Sequence, residues 1–255
     1  MAKIIAPFKV KGTIDDLNFY DTPNGNYVRT KGKTGITKKQ FQENPIFDRI
    51  RQQGNEFGSC VLKAKAFRLT AKQFFDKAKE GSFAGRVNSL LFEILEEDTK
   101  HPIGERKLEI GLQTPDGPTL LVGFEANKSR PLSKTYKRKI TFNWEKLEPN
   151  IKAINPEKDI NWPDSEANFV HLQLAIANWD YEKDTCETLY SNEITLEKTS
   201  KKHTLNWTLN TPNEKKLWIA FICISFSNKI RKKTKPVHKK ENTATILSFK
   251  TIEET

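Results

Sequence analysis

The chain has 255 residues, of which 36% are hydrophobic and 29% charged, with a formal net charge of +11 and an isoelectric point near 9.4. That length can bury a sizeable core, and 16 Phe with 5 Trp exclude a disordered polymer. The cationic excess favours a polyanionic partner, either nucleic acid or an anionic membrane face. It is largely an N-terminal property: residues 1–86 hold 17 Lys and Arg against 8 Asp and Glu, and the remainder 26 against 24.

The first 40 residues read as a hairpin followed by a basic arm. In residues 13–30, "TIDDLNFY" supplies Ile14, Leu17, Phe19 and Tyr20, "DTPNGN" is a turn cluster, and "YVRT" is a β-prone return. The strip "GNYVRTKGKTGITKKQ", residues 25–40, carries Arg29, Lys31, Lys33, Lys38 and Lys39, three glycines and no acid. It has no apolar period, so an extended, mobile tail is expected when unbound. Lys9 and Lys11 precede the hairpin and belong to the same cationic set.

Residues 41–104 are expected to be a helical segment. Asn44 is a suitable N-cap with Pro45 at the first helical position, and Ile46, Ile50, Phe57, Val61, Ala64 and Phe67 recur at roughly helical spacing. Gly54 and Gly58 are expected to break that helix or permit close packing. "GSFAGRVNSLLFEILEEDTK" predicts a further helix burying Val87, Leu90, Leu91, Ile94 and Leu95. "DTKHPIGE", residues 98–105, reads as a domain break.

From residue 105 the pattern changes to period two. "RKLEIGLQT", "TLLVGFEAN", "KRKITFNWE", "NFVHLQLAIANWDY", "CETLYSNEITLEK", "HTLNWTLN", "KLWIAFICISFSN" and "ATILSFKTI" all read as strands between Pro, Gly, Asn and Asp clusters. The expected fold is therefore α+β: an N-terminal β-hairpin with a basic arm (1–40), a helical segment (41–104) and an antiparallel β-sandwich-like domain (105–255).

The residues that carry chemistry point away from catalysis. Cys60, Cys186 and Cys223 are isolated, and His101, His171, His203 and His238 lack partners at zinc-ligand spacing. Cys223, inside "FICISF", reads as a core thiol. No nucleotide-binding, nucleophile-elbow or metalloprotease motif occurs, and Asp15-Asp16 and Glu96-Glu97 read as solvated faces or caps. No enzyme, cofactor, metal or small-molecule substrate is expected. The start "MAKIIAPFKVKG" lacks a secretory apolar run, and "LWIAFICISF" is about half the ~20 residues that span a bilayer, so a cytoplasmic protein without a membrane partner is expected.

Charge and aromatics remain. Three stretches are basic and acid-free: residues 25–40, "NKSRPLSKTYKRK" at 127–139, and "NKIRKKTKPVHKK" at 228–240. The last two are expected as loops. Arg49, Arg51, Lys63, Lys65 and Arg68 add cations on the helices. Lys and Arg release counterions from phosphates, Gly32 and Gly35 would let the backbone approach, and Tyr20, Tyr27 and Tyr136 could stack on bases. No base-reading motif is present, so recognition of RNA backbone and shape is expected.

The N-terminal third resembles a family of basic proteins found in Bacteroidota. The likeness rests on Gly12, Ile14, Asp16, Leu17, Phe19 and Tyr20, then Arg29, Lys31 and Gly32, then Pro45, Phe47, Arg49 and Arg51. A member of this type is similar to the phylum-restricted additional protein of the large ribosomal subunit. The resemblance implies a basic arm on ribosomal RNA, with neighbouring ribosomal proteins as further partners. Three rival classes share the charge signature: a phage-like or mobile-element structural protein with a self-assembling β-domain, an enzyme built on a converging polar pocket in that domain, and a DNA-binding protein.

Overall fold

The computed structural model describes residues 2–32, 35–212, 216–231 and 233–251. The chain divides into two compact units, Met1–Asp48 and Arg49–Thr255, rather than at residues 40 and 104. The element order is α+β throughout, with a hairpin, helices and then an antiparallel sheet.

In the first unit Asp15 decides the path of the chain. Its φ of 48° places it in the left-handed region, which Asp tolerates better than most residues. "TIDDLNFY" therefore reverses on itself instead of running as one strand. The strands β1 (Ala2–Lys3), β2 (Gly12–Ile14), β3 (Leu17–Thr22) and β4 (Gly25–Thr30) form an antiparallel sheet in the order β1-β4-β3-β2. The expected hairpin is its β3–β4 pair, registered by Tyr20 opposite Tyr27. Beyond it, α1 (Lys38–Glu43) replaces part of the expected extended tail. Thr37 and Gln40 close a reciprocal capping box there, each side chain serving the other's backbone N–H.

The second unit opens with α2 (Asp48–Phe67), α3 (Lys72–Ala78) and α4 (Phe83–Glu96). α2 runs unbroken through Gly54 and Gly58, and a Cβ at either would meet nothing within 4 Å, so they neither break the helix nor admit a neighbour. The buried stripe of α2 is Glu56, Cys60, Ala64 and Phe67, whereas Ile50 and Phe57 face outward. α4 buries Val87, Leu90, Leu91, Ile94 and Leu95 as its spacing predicts.

"RKLEIGLQT" is not a strand but contributes α5 (Leu108–Gln113). Six residues with Leu108, Ile110 and Leu112 fit period two, yet Leu108, Gly111 and Leu112 equally form one helical face, and packing on α4 selects the helix. Gly111 permits this approach, because a Cβ there would lie 2.0 Å from the Ile94 carbonyl oxygen. "TLLVGFEAN" likewise gives a short 3-10 turn, Gly117–Leu121, and a single bridge from Glu125 to Thr245. α6 (Leu132–Thr135), β5 (Phe142–Asn143), β6 (Glu148–Pro149), β7 (Ala153–Ile154) and α7 (Pro156–Asp159) follow as short elements.

The long strands β8 (Phe169–Asp180) and β12 (Leu217–Ile230) pair antiparallel and form the centre of the main sheet. β9 (Thr185–Tyr190) and β10 (Ile194–Glu197) each cover one half of β8's outer edge; β13 (Lys233–Pro236) and β14 (Thr243–Thr251) do the same for β12. "HTLNWTLN" supplies only β11 (His203–Thr204), paired with β7. Where the flanking strands change over, side chains satisfy the central backbone. Ser191 Oγ accepts from Leu174 N at 2.9 Å, and Asn242 Oδ1 accepts from Phe226 N at 3.0 Å.

Both faces of this sheet are buried. Ala175, Ala177, Trp179, Ile219 and Phe221 share a core with the helices, while Val170, Leu172, Ile222, Ile224 and Phe226 pack on the layer holding Tyr136, Ile154 and Ile160. Burial on two faces explains the near-continuous apolar run of β12.

The expected break at 98–105 is a fastened connection. Asp98 accepts from the backbone N–H of Lys100 and Lys107, both at 2.9 Å. Buried Glu56 on α2 receives Gly104 N at 2.7 Å, Arg106 N at 3.1 Å and the Arg106 guanidinium at 2.8 and 3.1 Å. Burial works against the charged Glu56, but these donors hold its carboxyl below the usual range. Glu56→Ala removes the buried acceptor of four hydrogen bonds and leaves the half-buried Arg106 to Glu96, at 3.6 Å; it should destabilise the protein by about 1–3 kcal/mol, read as a lowered urea midpoint.

Candidate nucleic-acid interface

The hairpin aligns Arg29, Tyr27 and Tyr20 on one face. The two tyrosine rings stack with centroids 6.1 Å apart, and the Arg29 guanidinium lies 5.6 Å from the Tyr20 centroid. Exposed Lys31 continues the strand's direction, its N–H donating to the Asp16 carbonyl at 2.5 Å. Gly32 is exposed, as is Gly35, whose φ of 64° suits glycine. Lys38 and Lys39 are exposed in the first turn of α1, and Lys33 lies outside the described residues. Among the described residues the strip is thus a strand end and a capped helix.

Lys9 and Lys11 are less available than their sequence suggests. Both converge on Asp21, at 2.9 and 3.7 Å, and the Lys9 hydrogen bond holds that carboxyl below its ordinary value. These ion pairs are exposed and yield readily to a competing phosphate.

On α2, Arg49 and Lys65 are exposed and Arg51 is half-buried, as is Arg68 in the turn that follows. Lys65 and Arg68, one turn apart, line a 390 Å³ depression with Lys72 and Lys79. Lys63 faces inward, contrary to its expected role. Its ammonium lies 2.9 Å from Glu109 and 3.1 Å from Asp184 and donates to the Tyr181 carbonyl at 2.6 Å. Burial opposes its charge, and the two carboxylates overcome it to raise the pKa. Lys63 ties α2 to α5 and to the turn after β8.

The two other basic stretches, far apart in sequence, are pinned together. Asn127 Nδ2 donates to the carbonyls of Lys240 at 2.8 Å and Asn242 at 2.9 Å, while Asn127 Oδ1 receives Ser129 N at 3.1 Å. Arg130 adds an ion pair to Glu241 at 3.7 Å. Residues 228–240 are not a loop. The end of β12 pairs with β13 through a turn at Arg231, whose φ is 56°. Lys229, Arg231, Lys233 and Lys235 are exposed on this hairpin, with Lys239 and Lys240 after it and Lys128 on the neighbouring segment. Lys232 lies outside the described residues.

Tyr136 is excluded from any stacking role, since it is 2% exposed and packed in the core. Neither Asn127 nor Asn242 carries a sequence signal for its pinning role. Cys60 and Cys223 are buried thiols pushed up to about 12, chiefly by desolvation. Among the described residues no group of three or more His, Cys, Asp or Glu is placed to hold a metal ion, and no helix is long and apolar enough to cross a membrane.

Comparison with protein-family models, with curated proteins and with solved structures finds no match to the chain. The functional reading therefore rests on these residues. Lys63→Met separates structural from interfacial cations. It should lose about 1–3 kcal/mol of stability by leaving partly buried acceptors unpaired, with RNA affinity unchanged in filter binding.

Proposed function

We propose that this protein binds RNA through the phosphate backbone, as an accessory component of the bacterial large ribosomal subunit. The observation that carries the reading is the exposed set Arg29, Lys31, Lys38 and Lys39, drawn from a stretch with no acid in its sequence, with Arg29 set over the Tyr20 ring of the stacked Tyr20–Tyr27 pair. Cations on a strand end and a helix start can follow a phosphate path, and paired tyrosines offer a π-face at its edge. The pinned basic surface of residues 127–139 and 228–240 supplies a second set of cations for phosphate. Its hairpin carries cations on both faces, because Lys233 and Lys235 project to one side and Lys229 to the other. No base-edge reader accompanies these groups, which suits a protein held on folded RNA by shape. The ribosomal assignment is supported by the resemblance of the N-terminal third.

The class is tested by sedimenting lysate through a sucrose gradient after a high-salt wash. Stoichiometric co-migration with the large subunit is expected. Recovery in ribosome-free assemblies would instead favour the self-assembling structural protein. At the residue level, Arg29→Ala, Lys31→Ala, Lys38→Ala and Lys39→Ala combined should weaken RNA binding. The combination should also flatten the log–log salt slope by about 0.7–0.9 for each phosphate no longer neutralised, with the thermal midpoint little changed. An unchanged slope would remove the strip from the interface.

A further inference from the structure

The main sheet brings together a serine, a histidine and a carboxylate that the RNA-binding reading does not use. His171 on β8 lies opposite Thr195 on β10 and Ser225 on β12, with Ser227 its diagonal neighbour on the same face. Its Nε2 is 2.7 Å from Ser227 Oγ. On the other side of the ring, Nδ1 is 2.9 Å from Thr195 Oγ1 and 3.4 Å from Glu193 Oε1. Glu193, in the connection between β9 and β10, is held by Lys77 at 2.9 Å.

One tautomer fits both hydroxyls: with the proton on Nδ1, the ring donates to Thr195 Oγ1 with the Glu193 carboxylate alongside, and the Nε2 lone pair accepts from the Ser227 hydroxyl. Burial keeps His171 below its ordinary pKa, outweighing the opposing pull of Glu193, so the imidazole is a neutral acceptor at neutral pH. Ser227 is 3% exposed and is reached through a 470 Å³ cavity with an apolar wall of Phe226, Pro236 and Val237. That volume suits a small organic ligand. Lys239 lines the same cavity, as do Asp76 and the Lys77–Glu193 ion pair, so Lys239 is the cation there that can face a developing oxyanion.

We propose that Ser227 and His171, positioned by Glu193 and Thr195, form a nucleophilic-serine site that hydrolyses small carboxylic esters. Ser227 Oγ bonds to the acyl carbon as its proton passes to His171 Nε2. The carbon–alkoxy bond then breaks and the same proton leaves on the departing alcohol. Water repeats the sequence on the acyl-serine, giving its proton to Nε2 and releasing the carboxylic acid with Ser227 restored.

The test uses the full-length protein and a fluorophosphonate probe, which forms an Oγ–phosphorus bond as the phosphorus–fluorine bond breaks and fluoride departs. Intact mass should show one adduct, and peptide mapping should place it on Ser227. Ser227→Ala should abolish it with the near-ultraviolet circular dichroism retained, and His171→Gln should slow it by about a hundredfold or more. Mapping on the unaltered protein keeps the test decisive if a variant fails to fold. No adduct on the folded protein, or an adduct elsewhere than Ser227, overturns the proposal. The labelling rate should rise with pH as His171 loses its proton. The charged groups around the ring are Glu193, Lys77, Asp76 and Lys239. Glu193→Gln should move the midpoint downward, because the carboxylate that favours the imidazolium is gone while Lys77 remains. An unmoved midpoint would remove Glu193 from the site.

Discussion

The larger unit depends on one constraint: the β8–β12 ladder is buried on both faces. A strand pair in that position cannot face water on either side, so helices must cover one face and the segment from Tyr136 to Ile160 the other. Its backbone groups must also be satisfied where flanking strands stop. Ser191 and Asn242 do this at the two changeovers, which is why two polar residues sit deep in an apolar layer. β12 also links core to surface. It is buried from Leu217 to Ser227, and beyond that point the same strand becomes the basic hairpin. The His171–Ser227 pair lies at that transition, where the sheet leaves the core and a cavity opens beside it.

The cations divide by what surrounds them and not by where they fall in the chain. Lys63 and Lys65 are two residues apart on α2, yet one is enclosed by two carboxylates and the other is exposed. A helix turns through about 100° per residue, so neighbours two apart face nearly opposite ways. Arg130 and Arg138, within a stretch that reads as uniformly basic, are engaged by Glu241 and Asp159, acids distant in sequence. Counting lysines along the chain therefore overstates the charge available to a polyanion. Spatial pinning works in the opposite direction, because Asn127 joins two basic runs into one surface.

Long elements were legible and short ones were not. α4 and β8 repeat their apolar period often enough to exclude the alternative, β12 is marked as a strand by its β-branched and aromatic composition between turn clusters and not by alternation, and the β3–β4 hairpin carries its own turn chemistry. α5 spans only six residues, and its apolar positions satisfy both periods. α1 has no apolar period, its one apolar side chain being Phe41 against Phe47, and its start is fixed by a capping box, a signal that Thr37 and Gln40 do carry in the sequence. The connection at 98–105 looks like a linker because its Pro and Gly are turn formers. Its anchors are Glu56, some fifty residues earlier, and Asp98, whose backbone donors lie further along.

By itself the sequence determined the class of the protein: α+β, with a cationic N-terminal portion and long antiparallel strands in its second half. Those are properties of composition and local period, which need no knowledge of what lies across the fold. The tertiary structure alone decided which cations stay exposed, that the two distant basic runs adjoin, and that His171 meets Ser227. Each of these is set by residues tens of positions apart, through strand register and helix packing. Local pattern cannot encode such a distance, because register and packing emerge only when the whole core is assembled.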